Sequence, residues 1–145
     1  MALNDYTGFE EVGAQFGDKE HDFANDTFKV ALITNAVVPA AGDTSPTLSD
    51  YTQCSAGGSY SSGGETIANQ TWTETGGVGT FDGDDITWTQ AASSPTDIYY
   101  GIVYNDTHAS DMAIGFIDFG GPVSMVAGNV AITWAATGIC THTVS

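Results

Sequence analysis

The feature that most constrains the fold is a series of short stretches with alternating apolar and polar residues, separated by turn residues roughly every 8 to 12 positions. Such spacing is typical of antiparallel β-sandwiches and jelly rolls. Strands are predicted at residues 65–74, 78–81, 85–90, 98–104, 113–119, 123–127 and 130–134, and residues 138–144 alternate again. The sequence therefore predicts an all-β, antiparallel, sandwich or jelly-roll-like fold.

Two further elements are predicted in the first third of the chain. Phe9, Val12 and Phe16 recur at helical spacing, which predicts a short helix within an N-terminal arm at 1–27. Residues 28–35 alternate as a strand whose first face carries Phe28, Val30, Leu32 and Thr34. The later stretch 98–104 is apolar on both faces, which predicts a central strand.

Residues 38–64 have the composition of a long surface loop, rich in Gly and Ser. Tyr51 and Tyr60 are its only large anchors, and residues 48–54 are compatible with a short strand or a single helical turn. Long loops often carry function. Residues 38–64 and residues 1–16 are therefore the hypothesised contact elements.

The length of 145 residues suits one domain, spanning residues 1–145. Acidic residues greatly outnumber basic ones, because the chain has 18 acidic residues and only two basic residues, Lys19 and Lys29. The formal net charge is therefore −16. Binding to nucleic acid or to an anionic membrane needs clustered Lys or Arg, so both partners are excluded. Partners should be basic, neutral or bridged by cations, and the acidity also favours solubility.

No motif for nucleophilic catalysis is present, and the sequence contains no GxSxG elbow. His21, His108 and His142 are scattered and are predicted to be surface or turn residues. The segment 76–79 lacks the Lys and Ser or Thr of a phosphate-binding loop and is interpreted as a flexible strand connection. The sequence thus predicts a protein that is not an enzyme and has no cofactor.

Asp82, Asp84 and Asp85 are weak candidates for metal ligands, since hard oxygen ligands suit calcium. A helix-loop-helix calcium site would also need a Glu where Ser93 stands. A hydrated hairpin turn at Asp82 and Gly83 is the favoured interpretation. A similar, weaker cluster is formed by Asn105, Asp106 and Asp111.

Cys54 and Cys140 form no CxxC pair and are expected to be reduced and buried, although a disulfide between them remains open. Trp72, Trp88 and Trp134 could form an aromatic platform for sugars or belong to the core. The sequence does not separate these two alternatives for the tryptophans.

Three segments together resemble a family of tailed-bacteriophage capsid decoration proteins, also called cement proteins. They are residues 28–35, the loop from 48 to 64, and 100–107 followed by 113–120. The resemblance implies a β-sandwich virion protein on the outer capsid surface, commonly a homotrimer, that bridges capsomers by binding the major capsid protein. The start of the chain lacks the pattern of a signal peptide, so synthesis is expected in the host cytoplasm.

Two alternatives to capsid decoration remain open. The first is a phage tail or fibre component of similar β architecture. The second is a carbohydrate-binding β-sandwich that uses the tryptophans, with calcium at Asp82 to Asp85 as a further option.

Overall fold

The computed structural model describes residues 6–144, which are mostly β with one short α-helix. The first five residues of the predicted arm and contact element therefore lie outside the described residues. A 3-10 helix at Leu48–Asp50 corresponds to the single helical turn predicted as one of two options within 48–54. The other elements are β1 (Tyr6–Gly8), α1 (Val12–Asp18), β2 (Phe28–Ile33), β3 (Glu65–Thr66), β4 (Thr71–Thr75), β5 (Val78–Asp82), β6 (Ile86–Trp88), β7 (Ile98–Asn105), β8 (Ala113–Val123), β9 (Val130–Ile132) and β10 (Cys140–Thr143).

Within residues 6–144 the strands form three antiparallel sheets. The largest has five strands in the order β1-β8-β7-β2-β3, and the others are β10-β5-β4 and β6-β9. Strand β7 lies in the middle of the largest sheet, which confirms the central position predicted for residues 98–104. The last predicted stretch, residues 138–144, contains β10, which pairs with β5 at the edge of the sheet β10-β5-β4.

Strand β2 is buried on both faces. Phe28, Val30 and Leu32 belong to the main core, together with Phe81 of β5 and Trp88 of β6. Its other face belongs to a second core, where Ala31 and Ile33 pack with side chains from outside the sheet, namely Phe9, Leu48 and Tyr51. The residues predicted to share the first face do so within the strand, while Thr34 lies just beyond its end.

The predicted surface loop 38–64 is only partly a surface loop, because its second half covers the edge of β2. Strand β3 pairs with β2 only at Lys29 and Val30. Farther along that edge, the Leu32 N–H donates to the Tyr60 hydroxyl at 3.0 Å, and the same hydroxyl donates to the Leu32 carbonyl at 3.2 Å. Burial raises the pKa of Tyr60 to about 12, so the hydroxyl stays protonated and able to donate.

Two strand predictions are corrected by the structure. The stretch 65–74 is split into β3 and β4 by a turn in which Asn69 has a φ of 50°. Of the predicted strand 123–127, only Val123 is in a strand, as the last residue of β8, and residues 124–127 form a turn in which Met125 is fully buried. Because this turn buries an apolar side chain, its sequence has the apolar pattern of a strand.

The hairpin predicted at Asp82 and Gly83 is also wrong. Strand β5 pairs with β4 and β10, while β6 pairs with β9, so Asp82 and Gly83 connect two different sheets. The tight turn lies instead at Gly76 and Gly77, which join β4 to β5 with φ values of 60° and 85°. Two consecutive positive φ values are the signature of a two-residue hairpin turn, which glycine adopts most easily.

The predicted N-terminal helix is confirmed, but it starts later than the pattern suggests. Phe9 precedes α1, and its backbone N–H donates to Ile114 of β8 at 3.0 Å. Glu10 and Glu11 therefore lie before the first helical turn, with Glu11 at the N-cap position. The helix continues through Gly13 and Gly17 and ends where Lys19 adopts a left-handed conformation with a φ of 62°.

Replacing Gly64 by Ala should destabilise the protein strongly. Gly64 has a φ of 79°, and a Cβ there would overlap the Val30 carbonyl in the enclosed strand β2. Backbone strain and the clash together should lower the free energy of unfolding by about 2–4 kcal/mol, measured by urea denaturation.

Gly120 provides the matched control for this substitution. It has a φ of 78°, but a methyl group added there would meet no heavy atom within 4 Å. The Gly120→Ala variant should therefore lose only the strain contribution, about 1–2 kcal/mol. Equal losses for the two variants would contradict the close packing of Gly64 against β2.

Candidate interaction surfaces

A buried polar network attaches the N-terminal arm to the sheet. The Asn105 side-chain N–H donates to Asp26 Oδ2 at 2.7 Å and lies 3.1 Å from His21 Nδ1. On the far side of the ring, His21 Nε2 is 2.9 Å from Gln15 Oε1 on α1. The prediction that His21 is a surface or turn residue is therefore wrong, since only 7% of it is exposed.

The network fixes the protonation of His21. Asn105 Oδ1 accepts the backbone N–H groups of Thr107 and His108, so the amide orientation of Asn105 is set and its NH₂ points at the His21 ring. The ring therefore accepts at Nδ1 and donates from Nε2 to Gln15, which is the neutral form. Burial, followed by the nearby His108, lowers the pKa of His21 from 6.5 to about 4.

The other two histidines lie closer to solvent. His108 is in the turn after β7, with Nε2 at 2.8 Å from Glu20 Oε2. His142 is exposed on β10, and its ring centroid is 4.8 Å from that of Phe16. In residues 6–144, no histidine ring is hydrogen-bonded to a Ser, Thr or Cys side chain.

The three candidate metal ligands have separate structural contacts. Asp84 Oδ2 accepts a hydrogen bond from the Asn69 side-chain amide at 2.6 Å, and Asp85 Oδ1 accepts one from the Trp134 backbone N–H at 2.9 Å. Asp82 ends β5 and pairs with Thr71. Within the described part of the chain, no group of three His, Cys, Asp or Glu side chains is placed to hold a metal ion.

The weaker acidic cluster is also dispersed. Asn105 belongs to the buried network, and Asp106 lies 3.9 Å from Lys29 Nζ. Asp111 occupies a turn with a φ of 50°. These residues shape the connection between β7 and β8.

The tryptophans do not form one platform. Trp88 and Trp134 are buried in the main core, which agrees with the core alternative for these two. Trp72 is half-buried and stacks on Phe23 with ring centroids 5.3 Å apart. It borders an open groove of about 430 Å³ with Lys19 and Asp22.

Both cysteines are free thiols. Cys54 is buried, and Cys140 is half-buried on β10, so the expected burial is complete only for Cys54. Burial raises the pKa of each thiol to about 12. Both sulfurs therefore remain protonated and weakly nucleophilic at neutral pH.

Val37 and the first half of the long loop form a second groove at the surface, which we call the loop groove. Its volume is about 300 Å³. The residues that line it combine apolar side chains with two carboxylates: Val37, Val38, Asp43, Thr44, Pro46, Asp50 and Tyr51. Val37 and Val38 are 44% and 59% exposed, which places an unprotected apolar pair at its mouth.

The loop groove is held in place by hydrogen bonds at both ends. Asp43 Oδ2 accepts from the Ala40 N–H at 3.0 Å and from the Tyr51 hydroxyl at 2.9 Å. Downstream, the Pro46 carbonyl accepts from the Ala113 N–H of β8 at 2.8 Å. The groove is therefore anchored to the five-stranded sheet rather than carried on a free loop.

No helix within residues 6–144 is long and apolar enough to cross a membrane. The helix α1 has 7 residues.

Acid should weaken the fold through His21. The unfolded chain binds a proton on this residue as the pH falls below 6.5, whereas the folded protein resists protonation until about pH 4. The free energy of unfolding should thus fall from pH 6.5 to pH 5 with a slope of at most about 1.4 kcal/mol per pH unit. Urea denaturation at several pH values measures this slope.

Two variants isolate the contribution of His21. His21→Gln keeps a donor toward Gln15, and its free energy of unfolding at pH 7 should be lower than that of the wild type. Because glutamine does not titrate, this free energy should be nearly constant across the same pH range. His142→Gln removes an exposed histidine and should keep the wild-type slope. An unchanged slope in His21→Gln would contradict the assignment.

Comparison of this chain with protein-family models, curated proteins and solved structures found no match in any of the three.

Proposed function

We propose that this protein is a structural virion protein that binds the outside of a tailed-phage capsid and stabilises it by bridging capsomers. In this proposal the three antiparallel sheets act as one sandwich-like body. The observation that carries it is the loop groove, an exposed apolar and acidic surface fixed to a rigid sheet. A protein that clamps a shell needs such a surface on an inflexible support.

The rigidity of the support follows from burial. Strand β2 is enclosed on both faces, and the Tyr60 hydroxyl and residues 52–54 close its free edge. The loop groove follows β2 directly along the chain, and the 3-10 helix at its far end packs on the same sheet. Binding there would cost little ordering of the chain, because the surface is already formed.

The charge of the protein restricts the partner. With a formal net charge of −16, it would be repelled by any strongly acidic surface. The proposed partner is therefore a neutral or basic patch on the major capsid protein. We propose synthesis in the host cytoplasm and a final location on the outer surface of the virion.

Replacing Val38 by Ser should reduce capsid occupancy. The substitution removes an apolar contact at the loop groove without touching the core, since this side chain is 59% exposed. Purified variant and wild-type protein would compete for capsids that lack the protein, and bound protein would be quantified after sedimentation. We expect occupancy to fall about tenfold, as for loss of one good interface contact.

Val144→Ser is the matched control, because Val144 is 72% exposed and does not line the loop groove. Its occupancy should equal that of the wild type. Equal occupancy of the Val38→Ser variant would contradict the proposed surface. If immunogold labelling located the protein on the tail of virions and not on the shell, we would replace the proposed capsid decoration by a tail or fibre role.

The proposal includes a homotrimer, for which light scattering should give a mass near three times 15.0 kDa at moderate salt. Because each copy is strongly acidic, the trimer should dissociate as the salt concentration is lowered and screening is lost. A monomeric mass at every salt concentration would contradict the homotrimer in solution.

A further inference from the structure

We propose that the loop groove receives one arginine or lysine side chain from the partner protein. The occupant must satisfy two kinds of surface at once. Val37 and Val38 offer exposed apolar contact, while Asp43 and Asp50 place carboxylates in the same lining. Arginine and lysine combine an apolar stem with a cationic head, so both surfaces are matched by one side chain.

In each carboxylate, hydrogen bonds to one oxygen fix the orientation of the group and leave the second oxygen available. Asp43 uses Oδ2 for the Ala40 N–H and the Tyr51 hydroxyl. Asp50 uses Oδ2 for the backbone N–H and the hydroxyl of Thr47, at 2.8 and 3.0 Å. No donor in residues 6–144 forms a hydrogen bond with Oδ1 of either residue, so both oxygens remain available to a ligand.

The size of the groove limits what it holds. About 300 Å³ lies at the lower end of the range for small-molecule sites and suits a single side chain better than a folded peptide. Of the two cations, arginine fits the pair of carboxylates better, because its planar guanidinium presents several donors in a fixed arrangement. The formal net charge of −16 on the whole protein also favours binding of a cation.

A second copy of this chain is a poor source of that cation. The whole sequence contains only Lys19 and Lys29 and no arginine. Lys29 is half-buried on β2, with 23% of its side chain exposed, and lies near Asp106. Lys19 is exposed, but the groove favours arginine and the sequence contains none, so an arginine must come from a different protein.

If the proposed function is correct, that protein is the major capsid protein, and in this respect the inference rests on the proposed function. The chemistry of the groove is independent of the partner's identity. It is therefore tested with a defined peptide rather than with the capsid.

The probe is an acetylated and amidated peptide, Ser-Leu-Arg-Leu-Ser, titrated into ¹⁵N-labelled protein at low salt and followed by NMR. We expect saturable shifts concentrated at the amides of residues 37–51. The matched peptide contains citrulline, which has the shape of arginine but no charge, and should bind at least about tenfold more weakly because the charge-assisted hydrogen bonds are lost.

Two protein variants locate the binding. Asp50→Asn removes one carboxylate but keeps an acceptor for the Thr47 N–H, and should weaken binding of the arginine peptide about tenfold. Asp97→Asn removes an equal charge at an exposed position outside the groove and should have little effect. Val38→Ser should also weaken binding, because it removes an exposed apolar side chain of the groove and leaves both carboxylates in place.

Shifts spread over the whole acidic surface, or equal affinity for the citrulline peptide, would overturn the inference. Loss of capsid binding by Val38→Ser without any peptide binding at the groove would overturn it as well and leave the proposed function standing. Saturable arginine binding at the groove of a protein that never occupies capsids would support the inference and overturn the proposed function.

Discussion

The rest of the structure depends on the enclosure of β2. Its two faces lie in two different cores, so its backbone groups are shielded from water. Buried N–H and C=O groups must then find partners within the protein. Strand β7 satisfies one edge, while β3, the Tyr60 hydroxyl and the backbone of residues 52–54 satisfy the other. The long loop is thus a structural requirement of the sheet as well as a surface.

This requirement divides the loop into two parts with different roles. The part from Tyr51 onward is drawn inward, because Tyr51, Cys54 and Tyr60 fill space beside β2. The part before it is pinned by Asp43 and by the backbone of β8, yet it keeps Val37 and Val38 in solvent. A surface that is ordered by its anchors and not by its own burial is well suited to recognition, since its apolar groups remain available.

The sequence predicted those parts of the fold that depend on local periodicity. Phe28 to Leu32 and the doubly apolar β7 were recognisable because alternation reports which faces are buried. The hairpin at Asp82 was mispredicted because an Asp-Gly pair has the same local chemistry in a hairpin as in a connection between sheets. His21 was missed because its burial depends on Asn105, far away in sequence, and the loop groove was missed because an exposed Val37 and Val38 carry no local motif.

The scarcity of basic residues also affects how the protein is attacked by proteases. A protease that cleaves only after lysine or arginine has two target bonds in this chain. The bond after Lys29 lies inside the enclosed strand β2, where cleavage would require the sheet to open. The bond after Lys19 lies at the end of α1 and is followed by Glu20, an acidic neighbour. In the folded protein, trypsin-like enzymes are therefore left with the bond after the exposed Lys19 as their accessible target.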